Sequence, residues 1–137
     1  MRLLLDTHTF LWFIEADPRL SSRAESLIGD PENKRFLSVA SIWEIAIKVN
    51  IGKLQLKFYG LLDTILAQHL AANQVELIPI EFDHAVHVHD LPFAQSADGT
   101  EHKDPFDRLI VSQALAEDLA IVSADSVLDG YGVKRIW

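Results

Sequence analysis

Four short stretches of the sequence carry a carboxylate where a strand should end or a helix should begin. They are LLLDTH, SIWEIA, HKDPFDRLI and VSAD, and their acids are Asp6, Glu44, Asp104, Asp107 and Asp125. Carboxylate oxygens suit Mg²⁺ or Mn²⁺ better than zinc. If the fold gathers these acids, we expect them to hold a divalent cation, because clustered carboxylates without one repel each other.

Taken singly, each acid also has a purely structural interpretation. Glu44 lies three residues after Ser41, which is the spacing of a capping box at a helix start. Asp104 precedes a proline at the first helical position and Asp107 follows three residues later, a pattern typical of a helix N-terminus. Asp125 can open a turn. Their joint placement favours a cluster, since helix N-termini and the carboxyl ends of parallel strands meet at one edge of a sheet.

The elements that must position these acids alternate along the chain. Apolar runs predict strands over about 2–6, 35–39, 75–80, 119–125 and 133–137, and helical patterns cover about 8–15, 22–29, 41–52, 59–73, 81–91 and 105–118. Such alternation indicates parallel crossovers and a three-layer α/β/α sandwich around a mostly parallel, Rossmann-like sheet. In such sheets, sites form beyond the carboxyl ends of the strands, where Asp6 and Asp125 stand.

Length, composition and charge restrict the class of protein. The 137 residues predict one domain over 1–137, and the apolar content of 49% indicates a packed core. There is no cysteine, no apolar run of membrane-spanning length and no secretory signal core, so we expect a cytoplasmic protein. The net charge of -8 argues against a simple basic nucleic-acid binder. It is compatible with a nuclease that holds cations, and with a basic partner protein.

The four stretches, in this order and over nearly the whole chain, resemble the motifs of the PIN-domain family. Within that family the chain is most similar to the VapC-type toxins of bacterial toxin–antitoxin pairs. Asp6 matches the first acid of the family, Glu44 the second, Asp107 the third and Asp125 the fourth. The last motif often reads Thr-x-Asp, and here the hydroxyl comes from Ser123. Asp104 is a competing carboxylate that caps the helix or supports the metal site.

The resemblance implies metal-dependent hydrolysis of RNA phosphodiester bonds. Asp6 and Asp107 would hold one or two Mg²⁺ or Mn²⁺ ions, helped by Glu44 and Asp125, and the ions would activate water. The hydroxyls of Thr7 and Ser123 would orient a ligand or that water. The resemblance also implies an antitoxin that blocks the site, a homodimer, and a higher assembly with the antitoxin. The negative charge suits an antitoxin arginine.

Two other functions compete with this one. A haloacid-dehalogenase-like phosphohydrolase also places an Asp after its first strand, but it needs a second Asp where this chain has His8. A non-catalytic module would use the same acids only to hold a cation. A zinc site among His84, His87 and His89 is a weaker alternative. His84 and His87 share a helical face, but no third ligand is placed on it and there is no cysteine.

Other polar and aromatic residues have simpler interpretations. His102 is a candidate for a phosphate contact, although a solvent-exposed loop residue is the simpler expectation. We expect Trp12 and Trp43 to lie in the core rather than stack on bases. Six basic side chains are candidates for contacts with the RNA backbone, although solvated surface is the simpler role for most: Arg2, Lys48, Lys53, Lys57, Lys103 and Arg108.

Overall fold

A central sheet of five parallel strands organises the chain. The computed structural model describes residues 1–137, and its strands are β1 Arg2–Leu5, β2 Lys34–Ser38, β3 Val75–Ile78, β4 Ala120–Val122 and β5 Arg135–Ile136. Their order across the sheet is β3-β2-β1-β4-β5, and every neighbouring pair is parallel. β1 therefore lies in the middle, with the carboxyl ends of β2 and β4 on either side of its own.

The helices are α1 Thr7–Ile14, α2 Ser22–Gly29, α3 Val39–Asn50, α4 Leu62–Ala72, α5 Phe82–Val86 and α6 Pro105–Glu117. Two 3₁₀ helices span His87–Asp90 and Ser126–Tyr131. None of the helices combines the length and the apolar character needed to cross a bilayer.

Two apolar layers cover the two faces of the sheet. In β1, Leu3 and Leu5 join the cluster that contains Phe10 of α1 and Ile45 of α3, whereas Leu4 joins the cluster with Ile110 of α6. A strand that is buried on both faces is an uninterrupted apolar run, which explains the sequence LLL. Helices pack on both faces, so the predicted α/β/α sandwich is confirmed.

The connection from α6 to β4 determines where the first turn of α6 lies. Asp118, at φ 52°, ends α6, and β4 begins two residues later. The end of α6 is therefore next to the beginning of β4, and its first turn lies at the carboxyl edge of the sheet. This brings Asp104 and Asp107, which no strand precedes, to the same edge as Asp6.

Several predicted boundaries need correction. The helix predicted from Ser41 begins at Val39, because the side chain of Ser38 accepts a hydrogen bond from the backbone N–H of Ala40 and caps it there. β3 ends at Ile78, since Pro79 has no N–H to extend the ladder. The helix predicted over 81–91 divides into α5 and a 3₁₀ helix.

The prediction that Trp43 lies in the core is wrong. Its side chain is 60% exposed, because the buried face of α3 is formed by Ala40, Ser41, Glu44 and Ile45. Trp12 is half buried.

Candidate active site

Asp6 ends β1 and begins α1. Its carboxylate accepts a hydrogen bond from the backbone N–H of Thr9 at 2.7 Å, so it is the N-cap of the helix. Its own N–H donates to the carbonyl of Val122, which joins the end of β1 to the end of β4. The side chain is half buried, and no hydrogen bond joins it to the other acids. One lone-pair face of Asp6 is thus used for capping, and the rest is available to a ligand.

Glu44 lies in the second turn of α3 and is buried, with 4% of its surface exposed. The capping-box interpretation with Ser41 is wrong, because Ser41 is inside the helix. Glu44 instead accepts a hydrogen bond from the hydroxyl of Thr7, with 2.6 Å between Thr7 Oγ1 and Glu44 Oε1. Its other oxygen, Oε2, is 2.6 Å from the ammonium of Lys48, one turn further along α3. Thr7 therefore connects Glu44 to the residue next to Asp6.

Asp104 and Asp107 have different roles at the start of α6. Asp104 is exposed and accepts a hydrogen bond from the N–H of Asp107 at 2.9 Å, so it caps the helix. The carboxylate of Asp107 is two-thirds buried and faces the side chain of His102, whose Nε2 is 3.0 Å from Asp107 Oδ2. The side chain of Asp104 thus stabilises the turn that presents Asp107.

Asp107 is the acid whose protonation the surroundings change most. The pKa of Asp107 is raised to about 7, chiefly because burial penalises the charged form; the negative charges of Asp104 and Glu44 act in the same direction, and the hydrogen bond from His102 opposes them. The influence of Glu44 is the smallest of these, and it indicates that the acids of α3 and α6 are near enough to repel each other. A cation among them would remove the repulsion, as the sequence argument requires.

Asp125 follows β4 and completes the edge. It caps the 3₁₀ helix Ser126–Tyr131 by accepting from the N–H of Val127, and its own N–H donates to the buried hydroxyl of Ser123 at 3.1 Å. One potential ligand atom each from Asp125, Asp107 and His102 lies within 4.8 Å of the other two. The donor set at this edge therefore suits a divalent cation, with carboxylate oxygens as its main ligands.

The prediction that His102 is a solvent-exposed loop residue is wrong. The residue is only 9% exposed, and both ring nitrogens have partners, Tyr131 and Asp107. Its position two residues before the N-cap Asp104 was the one sequence signal that it lies beside the first turn of α6. Tyr131, which buries it, is 29 residues away.

The basic and histidine candidates mostly have other partners. Arg108 is buried and donates to the carbonyl of Pro92, so this candidate is neither solvated surface nor available to an RNA backbone. His84 bonds to Glu117 and His87 to Asp90, so these two histidines have separate carboxylate partners.

A family model of the PIN domain matches residues 3–134. The chain belongs to the PIN domain family, a family of nucleases, and its acidic edge is a candidate metal site. No curated protein matches the chain in sequence.

Solved structures with this fold share little sequence with the chain. A chain of VapBC2 from Rickettsia felis, in a crystal structure with a promoter DNA fragment, is 18% identical with a TM-score of 0.69, and the match covers 99% of this chain and 98% of that one. VapBC-1 from nontypeable Haemophilus influenzae is 15% identical with a TM-score of 0.62, and the match covers 99% of this chain and 97% of that one. FitAcB from Neisseria gonorrhoeae is 16% identical with a TM-score of 0.59, and the match covers 98% of this chain and 96% of that one.

Proposed function

We propose that this protein is a divalent-cation-dependent endoribonuclease and the toxin of a toxin–antitoxin pair. The observation that supports the proposal is the cluster of Asp107, Asp125 and His102, whose potential ligand atoms lie within 4.8 Å of one another at the edge of the sheet where Asp6 follows β1. Burial and neighbouring charge raise the pKa of Asp107 in this cluster. The likeness to chains of VapBC and FitAB complexes supports the toxin part.

Asp6, Asp107 and Asp125 are the residues that would hold Mg²⁺ or Mn²⁺. The cation would supply an activated water and stabilise the charge that develops on the phosphate. Glu44 would contribute negative charge without binding the cation directly, since its two oxygens already have partners in Thr7 and Lys48. Ser123 fixes the turn that presents Asp125.

An aromatic pair beside the acids suits the bases of single-stranded RNA. Trp43 immediately precedes Glu44, Phe106 immediately precedes Asp107, and their rings pack edge to face with centroids 5.4 Å apart. An exposed indole next to a phosphate-binding site offers a stacking surface that tolerates any base. The ammonium of Lys48, one-third exposed, is close enough to Glu44 to meet a phosphate at this site. We therefore propose that RNA enters along α3 and α6.

The antitoxin, the homodimer and their higher assembly belong to the same proposal, as does the single domain over residues 1–137. An arginine from the antitoxin would occupy the place of the cation, because charge-assisted bonds to several carboxylates are strong. The two apolar layers on one continuous sheet support the single domain.

The test is RNA cleavage by purified protein with and without Mg²⁺, compared with the Asp6→Asn variant. Asn is an equally good N-cap, so the variant should fold normally and lose cleavage. Asp30→Asn is the matched control, because Asp30 is an exposed acid after α2 that bonds to the N–H of Glu32. The control should cut RNA normally, and sequencing of the new 5′ ends would locate the cuts.

Three results would contradict the proposal. Normal cleavage by Asp6→Asn would remove the acid from the chemistry. Cation binding without any RNA cleavage would favour a binding module. Phosphate release from small phosphoesters, with RNA left intact, would favour a phosphohydrolase of the haloacid-dehalogenase type.

A further inference from the structure

A buried chain of hydrogen bonds leads from α6 back to its own first turn. Nη1 of Arg108 donates to the hydroxyl oxygen of Tyr131 at 3.2 Å, and that hydroxyl is 2.7 Å from Nδ1 of His102. On the other side of the ring, Nε2 of His102 is 3.0 Å from Oδ2 of Asp107. Nothing in the proposed function uses the first three groups, although they are buried or nearly buried beside a site acid.

The geometry decides which ring nitrogen carries the proton. Because Arg108 donates to the Tyr131 oxygen, the phenolic proton must point to another acceptor. Two are within reach: Nδ1 of His102 at 2.7 Å and the carbonyl of His102 at 3.2 Å. The shorter distance favours Nδ1, and an Nδ1 that accepts leaves the proton of a neutral ring on Nε2.

The carboxylate of Asp107 leads to the same assignment. A lone pair on Nε2 would face a lone pair of Oδ2 across 3.0 Å, unless Asp107 itself carried a proton. An acid that binds a cation must be ionised. An Asp107 that is ready to bind a cation therefore requires a proton on Nε2, and in a neutral ring this is the Nε2–H tautomer.

We propose that His102 is a positioning residue for the metal site. Its Nε2–H holds Oδ2 of Asp107, and the hydroxyl of Tyr131 fixes the tautomer, so that Oδ1 of Asp107 is directed toward the cation beside Asp125. The inference rests on the proposed function, because it assigns a task at the same cation site. His102 acts through Asp107 and is not itself a ligand.

The backbone holds the ring in this place. The N–H of His102 donates to the carbonyl of Ala94 at 2.7 Å, which closes the loop before α6. Ala94 in turn packs against Gly130, where an added Cβ would lie only 2.7 Å from the Cβ of Ala94. The loop and the 3₁₀ helix Ser126–Tyr131 thus approach closely enough for Tyr131 to reach the ring.

The first test is long-range ¹H–¹⁵N NMR of the histidine rings at pH 8, with and without Mg²⁺. The expected signal for His102 is a proton on Nε2 and none on Nδ1, unchanged when Mg²⁺ is added. A proton on Nδ1, whether in the other tautomer or in an imidazolium, would overturn the tautomer assignment. Loss of the Nε2 proton on adding Mg²⁺ would make His102 a ligand and would also overturn the proposal.

The second test is Mn²⁺ affinity, measured by electron paramagnetic resonance without RNA. His102→Leu should weaken Mn²⁺ binding about 10- to 100-fold, the usual cost of losing a group that orients a metal ligand. Tyr131→Phe should weaken Mn²⁺ binding by a smaller factor. His102→Gln, whose amide N–H reaches a position similar to Nε2–H, should restore most of the affinity.

His84→Gln is the matched control for packing. His84 is another buried histidine bonded to a carboxylate, Glu117, and it belongs to α5. The control should leave Mn²⁺ affinity unchanged. Unchanged affinity in folded His102→Leu, or equal losses in His102→Leu and His102→Gln, would overturn the positioning role. Neither the NMR signal nor the Mn²⁺ affinity depends on RNA cleavage. These measurements can therefore refute the positioning role of His102 without refuting the nuclease, and loss of the nuclease proposal would not change them.

Discussion

Competition between protons and the cation at Asp107 should make metal binding depend steeply on pH near neutrality. The surroundings raise the pKa of Asp107 to about 7, through burial first and then through Asp104 and Glu44. A cation that binds Asp107 must displace this proton. The experiment therefore varies the pH between 6 and 8 and measures the affinity for Mn²⁺.

The size of the effect follows from the pKa. With a pKa of about 7, roughly a tenth of the Asp107 carboxyls carry a proton at pH 8 and roughly nine-tenths at pH 6. Mn²⁺ affinity should therefore fall about tenfold from pH 8 to pH 6. An aspartate with the ordinary pKa of about 3.9 would give almost no change over this range.

The assay is titration calorimetry with Mn²⁺ at several pH values, with buffers of different ionisation enthalpy to count the protons released. The wild type should release close to one proton at pH 6 and almost none at pH 8. Asp107→Asn should bind Mn²⁺ more weakly and without pH dependence. His102→Gln should keep the pH dependence, because this change removes the imidazole bonded to Asp107 and leaves the Asp107 carboxyl in place.

A flat affinity between pH 6 and pH 8 in the wild type would refute this reasoning. It would mean that Asp107 is ionised throughout this range, and hence that burial and the neighbouring acids do not raise its pKa. A pH dependence that persists in Asp107→Asn would place the proton on a different group.

Three further predictions concern stability. Without metal, Asp107→Asn should raise the free energy of unfolding at pH 8 by about 1–2 kcal/mol after allowing for solvent. The raised pKa of Asp107 contributes stability below pH 4, and this contribution is lost as the pH rises through about 7. The advantage of the Asn variant should therefore vanish toward pH 4 in chemical denaturation. Gly130→Ala should cost about 1–3 kcal/mol, because its Cβ would overlap Ala94; a neutral result would mean that the loop moves freely. Phe10→Ala should cost about 3–5 kcal/mol and Trp43→Ala much less, because Phe10 is fully buried and Trp43 is 60% exposed; equal losses would contradict the assigned core.

Much of the fold could be predicted because its signals are local. The run LLL before Asp6 is apolar on both faces of a strand, and Pro105 with Asp104 marks the start of α6. Errors arose where a side chain had two possible uses. Ser41 and Glu44 have capping-box spacing, yet Ser38 caps the helix and Glu44 is drawn inward by Thr7.

The placement of Asp6 and Asp125 at the same edge of the sheet could be predicted, but the contacts around Asp107 could not. Asp6 and Asp125 follow strands that topology places side by side, so the parallel sheet brings them to one edge. His102 is different, because its burial depends on Tyr131, which arrives from a 3₁₀ helix far along the chain. No periodicity in the loop before α6 indicates this contact. The same holds for Arg108, whose fork is directed inward to Pro92 and Tyr131.

The basic side chains that contact the acids indicate which part of the edge is left for a cation. Lys48 neutralises Glu44, and His102 holds one oxygen of Asp107. Asp6 and Asp125 receive hydrogen bonds from backbone N–H groups only, at Thr9 and Val127. Asp6, Asp125 and the second oxygen of Asp107 therefore have no basic side chain bonded to them. A divalent ion beside these carboxylates would offset their negative charge and would present positive charge to a phosphate, which would allow a chain with a net charge of -8 to approach the proposed RNA substrate.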